Sequence, residues 1–368
     1  MRFTIEKADF LRGLGRIQAV VERRSSLPVL ANALIRADGE SLTMSATDLE
    51  VGMTSTHKAR VETPGSVTLA AKKLYEIARE LDEDEVTLSI EDGSRVNLNC
   101  GKASFSLLSI APEEYPTLPG DSGASFVSLD ASLLMEMIDA TLYATSTDET
   151  RYNLNGVLME GDGKGLVIFV ATNGHRLAKA EKAPPEPISF LDKGIIVPRK
   201  GVSEIRKLCE ETDEAIELGL SEGFLLVRGP NLLLSCRLID GEFPDYRQVI
   251  PDQHQIRVVV SRELLHQAVK RIALVAHERA GGFRLALEDG ELELFAQNPD
   301  LGEAREKLAV EYQGDRFETG FNARYLQDAL TAMLSKEILI ELRDELTPAQ
   351  LRPADDPDRI AVVMPMRI

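Results

Sequence analysis

Short alternating runs of apolar and polar residues, broken at glycine-rich pairs, dominate the chain. Leu34-Ile35-Arg36-Ala37-Asp38-Gly39-Glu40-Ser41-Leu42 is one such run, and Leu285-Ala286-Leu287-Glu288-Asp289-Gly290-Glu291-Leu292-Glu293-Leu294 is another. Between them, Val157-Leu158-Met159-Glu160 leads into Gly161-Asp162-Gly163-Lys164-Gly165. Asp-Gly flanked by alternating apolar residues predicts a hairpin, because both turn positions take a positive φ. After each predicted hairpin comes a similar tag: Ala46-Thr47-Asp48-Leu49, Ala171-Thr172-Asn173 and Ala296-Gln297-Asn298. The three alanines recur at intervals of 125 residues. The sequence therefore repeats three times.

A helical period precedes each hairpin. Phe10, Leu11 and Leu14 are matched by Leu133, Leu134 and Met137, then by Leu264, Leu265 and Ala268. Positions i, i+1 and i+4 share one helical face, so each helix is expected to bury a stripe on a sheet. Asp130 and Ser261 stand where N-caps are expected for the second and third of these helices. A second helix per repeat is predicted from Leu74, Ile77 and Leu81, from Val202, Ile205 and Cys209, and from Leu326, Ala329 and Met333. Alternating strands follow, such as Val86-Thr87-Leu88-Ser89-Ile90 and Val96-Asn97-Leu98 around Asp92-Gly93.

Each repeat thus reads as two strand–helix–hairpin halves, an α+β arrangement in which helices cover one face of antiparallel sheets. Breaks fall at Pro116-Thr117-Leu118-Pro119-Gly120-Asp121-Ser122-Gly123 and near Pro251-Asp252-Gln253. Three domains are expected, at 1–120, 124–248 and 249–368. A length of 368 residues agrees with two or three cores.

Composition changes the picture in one respect. A hydrophobic content of 43% with 28% charged residues is that of a globular protein, yet the net charge is −18. An acidic balance argues against a nucleic-acid partner unless the cations are gathered on one face. Placement therefore decides. The second helix of each repeat opens with cations: Lys72 and Lys73, then Arg199 and Lys200, then Arg324. Lys7, Arg12 and Arg16 lie on the first helix with Arg23 and Arg24 beyond it, and Arg262, Lys270 and Arg271 lie on the fifth. Cations at a helix start oppose the helix dipole, so their recurrence in three repeats points to an external anion. The helix from Ala131 to Tyr143 departs from this, with Glu136 and Asp139 and no cation. With no helix-turn-helix, zinc-finger or RNP pattern and no Trp, the expectation is sequence-independent contact with phosphate.

Thr172-Asn173-Gly174-His175-Arg176-Leu177, Val197-Pro198-Arg199-Lys200-Gly201, Phe243-Pro244-Asp245-Tyr246 and Val362-Val363-Met364-Pro365-Met366-Arg367-Ile368 resemble the bacterial DNA polymerase III beta subunit family. The resemblance runs from Met1-Arg2-Phe3-Thr4 to Ile368. It implies a sliding clamp: a head-to-tail homodimer of three-domain subunits, closed as a pseudo-sixfold ring around duplex DNA, with twelve helices lining the hole and sheets outside. It implies as partners the replicative polymerase alpha subunit, the clamp loader, and repair and translesion polymerases. These would dock short apolar peptides in a cleft between the second and third domains. Carried over by position, the cleft is Leu154, Thr172, Gly174, His175, Arg176, Leu177, Pro244, Val249, Asn322, Tyr325, Leu346, Val362, Met364, Pro365, Met366 and Arg367. Family position adds Arg24 and Tyr152 to Lys72, Lys73, Arg199 and Lys200 as DNA contacts. It also places Phe105 and Leu107 against Leu274 and Val275 at the subunit interface. The apolar chain end fits a docking role, since Met adapts to varied apolar ligands. A final core strand explains Val362 and Val363 equally well, and alternate residues of one strand can serve both purposes. Two departures stand at the rim: Ala280, where relatives carry an aromatic residue, and Gln248, where they carry a cation.

Other chemistry is weakly marked. His175 has no Ser/Asp partner pattern, and Gly161-Asp162-Gly163-Lys164-Gly165 lacks the Gly-Lys-Ser/Thr ending of a phosphate loop. The five histidines (His57, His175, His254, His266, His277) and three cysteines (Cys100, Cys209, Cys236) lack metal-ligand spacing, and a disulfide framework is not expected. No catalytic site, metal or cofactor is expected. Met1-Arg2-Phe3-Thr4-Ile5-Glu6 lacks the apolar run of a secretory signal, and no membrane-length apolar stretch occurs, so the expected location is the cytoplasm. A clamp paralogue with a specialised partner stays open, and genetic essentiality separates it from a replication clamp. A nuclease or ligase accessory enzyme built on the same repeats would need a metal-binding carboxylate cluster, and detectable turnover on DNA with Mg²⁺ would mark it.

Overall fold

The hairpin signals become paired strands, though the turns differ in detail. In the third repeat Gly282–Glu288 pairs with Glu291–Asn298, and both turn residues have positive φ, 39° at Asp289 and 82° at Gly290. In the first repeat Asp38 ends the strand Asn32–Asp38, so the turn pair before Ser41–Thr47 is Gly39-Glu40. Only Gly39 has a positive φ there, of 56°. The glycine alone supplies the left-handed residue.

This computed structural model describes residues 1–21, 27–92, 95–212, 214–276 and 281–367. Six α-helices lie within them: α1 Lys7–Ile17, α2 Ala71–Arg79, α3 Ala131–Thr141, α4 Arg199–Glu210, α5 Arg262–Ala273 and α6 Ala323–Ala332. The apolar stripes are close to those expected. Phe10, Leu14 and Ile17 of α1 are buried, as are Leu134, Met137 and Ile138 of α3 and Leu265, Ala268, Val269 and Ile272 of α5. Leu264 departs: it lies off the buried stripe and is 58% exposed. Leu81 is buried but sits beyond the end of α2. Ser261 caps α5, its hydroxyl accepting from the Leu264 N–H.

The chain packs as two compact units. One holds Met1–Ala131 with Ser203–Leu238, the other Ser132–Val202 with Ile239–Ile368. The boundary cuts through the second repeat because each unit contains an eight-stranded sheet drawn from two repeats. In the first unit Leu232–Arg237 pairs antiparallel with Val51–Lys58, with Leu234 opposite Met53. A five-stranded sheet completes that unit, with Ala103–Leu108 at one edge. Its helix α1 approaches the strand Val51–Lys58 closely. A Cβ on Gly13 would lie 2.7 Å from Nε2 of the buried His57 and 2.1 Å from Cε of Met44.

In the second unit Arg176–Lys182 pairs antiparallel with Arg359–Val363, placing Leu177 opposite Val362. A four-stranded sheet with Gly302–Ala309 at its edge packs on α5 and α6 through Phe283, Leu285, Leu292, Leu265 and Leu326. Side-chain alternation along Arg359–Val363 gives the strand two roles. Ala361 and Val363 join that main core, while Val362 joins a smaller one with Leu177, Val170 and Tyr246. Among the described residues, no helix is long and apolar enough to cross a membrane.

Candidate functional site

The smaller core of the second unit opens into an apolar pocket, and three segments build it. The first is the turn between Val167–Thr172 and Arg176–Lys182. Asn173 shapes this turn, its side-chain oxygen accepting from the N–H groups of His175 and Arg176, both at 3.0 Å. The Thr172 hydroxyl donates to the Arg176 carbonyl at 2.7 Å and accepts from the Gly174 N–H at 3.1 Å. Gly174 has a φ of 85°, and a Cβ there would meet Arg151 Nη1 at 2.8 Å. The positive φ favours glycine here, and the arginine end is free to shift.

The second segment is the end of the strand Arg359–Val363. The Met364 N–H donates to the His175 carbonyl at 2.9 Å, carrying the chain end across the mouth of the turn. The third is the stretch around the short 3-10 turn Tyr246–Gln248. Together Leu154, Thr172, Gly174, Arg176, Leu177, Pro244, Tyr246, Val249, Val362 and Met364 line a cavity of about 110 Å³. An apolar cavity of that order holds a single small hydrophobic group.

Nine of the residues carried over by position line this cavity: Leu154, Thr172, Gly174, Arg176, Leu177, Pro244, Val249, Val362 and Met364. The others sit around it or away from it. His175 is exposed and stacks on Tyr325, with ring centroids 6.3 Å apart and planes 14° from parallel. Asn322 caps α6, accepting from the N–H groups of Arg324 at 3.0 Å and Tyr325 at 3.2 Å. Pro365 and Met366 are half-buried, the Met366 N–H donates to the Gly320 carbonyl at 2.9 Å, and Arg367 is exposed. Leu346 is 73% exposed in a turn held by the Asp344 carboxylate, which accepts from the Leu346 and Thr347 N–H groups. Next to the pocket a second, polar cavity of about 350 Å³ is lined by Arg247, Gln248, Asp252, Arg343 and Thr347, and it shares Val249 with the first. Ala280 and Ile368 lie outside the described residues.

Charged groups near the pocket are engaged within the protein. Arg176 is only 8% exposed. Its Nη1 donates to Asp328 Oδ2 at 2.5 Å, its Nη2 to the Tyr143 carbonyl, and its plane lies over the rings of Tyr143 and Tyr325. Sequence reasoning passed over Tyr246, although it stands inside the Phe243-Pro244-Asp245-Tyr246 motif. Its ring lines the pocket and its hydroxyl donates to Glu160 Oε1 at 2.7 Å. Burial, then the bond to Glu160, pushes the Tyr246 phenol well above its ordinary value.

The expected DNA contacts are distributed over both units. Lys72 and Lys73 are the second and third residues of α2, and Lys73 pairs with Glu76 one turn on. Arg199 and Lys200 open α4, and the Arg199 N–H donates to the Asn155 carbonyl at 2.9 Å. Tyr152 is exposed. Arg24 and its neighbour Arg23 lie outside the described residues. Several other cations singled out in the sequence have internal partners. Arg16 donates to Glu211 at 2.7 Å and Lys7 to the Leu81 carbonyl, while Arg271 forks onto Glu306. Arg262 bonds the Ser335 and Leu330 carbonyls.

Of the expected interface residues, Phe105 and Leu107 are half-buried on the edge strand Ala103–Leu108, whose last residue Leu108 is 73% exposed. Leu274 follows α5 and is 76% exposed, with Val275 half-buried beside it. Among the described residues, no three or more His, Cys, Asp or Glu side chains are grouped to hold a metal ion. His277 lies outside them.

Family models for the DNA polymerase III beta subunit match the chain in three consecutive parts: the N-terminal domain over residues 1–119, the central domain over 128–245 and the C-terminal domain over 247–367. The beta sliding clamp of Caulobacter vibrioides is 37% identical, and that of Escherichia coli K12 is 32% identical, each over the full length of both chains. Among solved structures, the DNA polymerase III beta subunit of Pseudomonas aeruginosa superposes with a TM-score of 0.94 at 35% identity, covering both chains fully. A Pseudomonas aeruginosa sliding clamp bound to griselimycin gives 0.93 at 34%, again covering both chains fully. A Caulobacter crescentus clamp gives 0.95 at 36%, covering 100% of this chain and 99% of that one, and carries polyethylene glycol in a region proposed to tether beta-motifs.

Proposed function

We propose that this chain, which belongs to the DNA polymerase III beta subunit family of beta sliding clamps, closes head to tail with a second copy around duplex DNA and docks its partners in the apolar pocket. A sliding clamp is a processivity factor and not a catalyst. The observation that carries the docking reading is the pocket itself. Leu177 and Val362 form its floor from paired strands, Pro244 and Val249 its lip, and Met364 its adaptable side.

The occupant is a short, extended segment of the polymerase alpha subunit, the clamp loader or a repair or translesion polymerase. It inserts two or three apolar side chains, one into the cavity and the others along His175, Tyr325, Asn322, Leu346 and the Pro365–Arg367 chain end. Burial contributes about 25 cal/mol per Å² of apolar area, and ordering a flexible peptide offsets much of it. Affinity on the order of micromolar follows, suited to exchange between partners. Two pockets per ring let a multivalent partner gain avidity.

Ring closure joins Phe105 and Leu107 of one subunit to Leu274 and Val275 of the other, apolar residues of the kind that fill interface cores. Contact of Arg24, Lys72, Lys73, Tyr152, Arg199 and Lys200 with the DNA backbone is weak, salt-dependent and indifferent to sequence, since tight phosphate binding would arrest sliding. The deciding experiment loads the protein onto nicked circular DNA and measures the length of primer extension, with and without a competing apolar peptide. Long products that shorten with the peptide, and loss of the protein when the circle is cut, are the expected results. Equal retention on circular and linear DNA, or extension unaffected by the peptide, overturns the reading.

A further inference from the structure

The lip of the pocket has little regular structure to hold it. Between the strands Leu232–Arg237 and Ile256–Ser261 the only regular element is the 3-10 turn Tyr246–Gln248. Its flank is tethered by the Ile239 N–H on the Ile196 carbonyl at 2.9 Å and by Asn153 Nδ2 on the Glu242 carbonyl at 2.8 Å. At its centre a single carboxylate oxygen, Glu160 Oε1, accepts two bonds. One comes from the Tyr246 hydroxyl at 2.7 Å, the other from Arg247 Nη2 at 2.5 Å. The Arg247 guanidinium also lies over the Tyr246 ring, 4.6 Å from its centroid. Glu160 belongs to the strand Gly156–Gly161, inside an eight-stranded sheet, so the clasp ties an irregular segment to a rigid one. The same segment divides the apolar cavity from the polar one, with Val249 in the wall of both.

We infer that Glu160 is a positioning residue for partner recognition: by clasping Tyr246 and Arg247 together it fixes the height of the Pro244–Val249 lip and so the depth of the apolar pocket. This rests on the reading of that pocket as the docking site. Glu160 itself is not among the residues lining either cavity. Its effect passes through the two side chains it holds. Charge-assisted bonds are stronger than neutral ones, and the Tyr246 bond is made largely away from water, whereas the Arg247 side chain is 63% exposed and its bond adds less. Without the carboxylate the buried Tyr246 hydroxyl loses its acceptor and Arg247 loses its anchor. The lip is then free to move toward the polar cavity, and the apolar anchor of a peptide is no longer enclosed.

The test uses the full-length protein and two labelled peptides that differ only in carrying Leu or Ala as the anchor residue. Glu160→Ala is expected to weaken the Leu peptide by about tenfold, mainly through faster dissociation. The Leu-over-Ala preference is expected to fall toward one. Glu160→Gln, which keeps an acceptor for Tyr246, restores most of that preference. Tyr246→Phe lowers it, and adding Tyr246→Phe to Glu160→Ala lowers it no further. Should Glu160→Ala fail to fold, Tyr246→Phe measured against the wild type carries the same comparison. An unchanged preference in Glu160→Ala or in Tyr246→Phe overturns the inference, as does an equal loss for both peptides, which marks general loosening of the fold. Failure of the docking reading looks different: the wild type then binds the Leu peptide no better than a chain lacking Met364–Ile368.

Discussion

Arg176 in the pocket wall reaches Asp328 on α6, with Nη1 2.5 Å from Oδ2. Since Nη2 donates to the Tyr143 carbonyl and Nε is buried from solvent, this arginine serves as a pillar of the wall. Asp328→Ala leaves a mostly buried guanidinium short of its counter-charge. Asp328 is about one-third exposed, which moderates the cost to about 1–3 kcal/mol. Thermal unfolding and peptide titration of the variant are expected to show lowered stability and weaker binding together. A variant that binds peptide normally despite lowered stability would separate the pillar from the pocket.

His57 predicts a pH dependence. Burial lowers its pKa below 6.5; Asp9 at 3.9 Å opposes the shift, and Arg16 and Arg12 add to it. The unfolded chain takes up the proton first, so stability present above about pH 6.5 is lost as the pH falls toward the folded value. His57→Gln is expected to flatten that loss between pH 7.5 and pH 5 in calorimetric scans. The same decline in both proteins would assign the effect to other groups.

Leu274→Ala combined with Val275→Ala is expected to give folded monomers that still bind a partner peptide but are not retained on circular DNA. Sedimentation velocity reads the first outcome directly. An unchanged dimer would move the interface elsewhere. Arg271, one turn before Leu274, forks onto Glu306 of the edge strand Gly302–Ala309, so the variants leave that local support in place.

Removing Met364–Ile368 takes away the Met364 side of the pocket and the bond from its N–H to the His175 carbonyl. Peptide affinity is expected to fall below detection by calorimetry while sedimentation still reports a dimer. Undiminished affinity in the truncated dimer would place docking at another surface.

Much of the fold was legible because hairpins and amphipathic helices write short periods into the sequence, and 125-residue recurrence multiplied them. The pairing of Leu232–Arg237 with Val51–Lys58 left no such trace, since contacts between distant strands impose no local spacing. Helix cations were legible as residues but not as free charges. The carboxylate that meets Arg16 comes from Glu211, 195 positions away. In the pocket, the motif residues Thr172, Gly174, Leu177, Pro244, Val362 and Met364 were found by likeness. Tyr246 was missed because an aromatic residue in a loop motif reads as packing until its hydroxyl is seen on Glu160. Val362 and Val363 show the gain from strand alternation, one facing the pocket and the other the main core.

Strand order also sets a timetable for synthesis. Ser235 bonds the Gly52 carbonyl across 183 positions, so the strand beside Val51–Lys58 is made long after it. At about 5–20 residues per second, a ribosome leaves that edge unpaired for roughly 10–40 s. Throughout that interval the nascent chain presents an open row of backbone donors and acceptors to its neighbours on the polysome. Growth through residue 237 ends the exposure, and with it the period in which this half of the molecule is most prone to pair with the wrong chain.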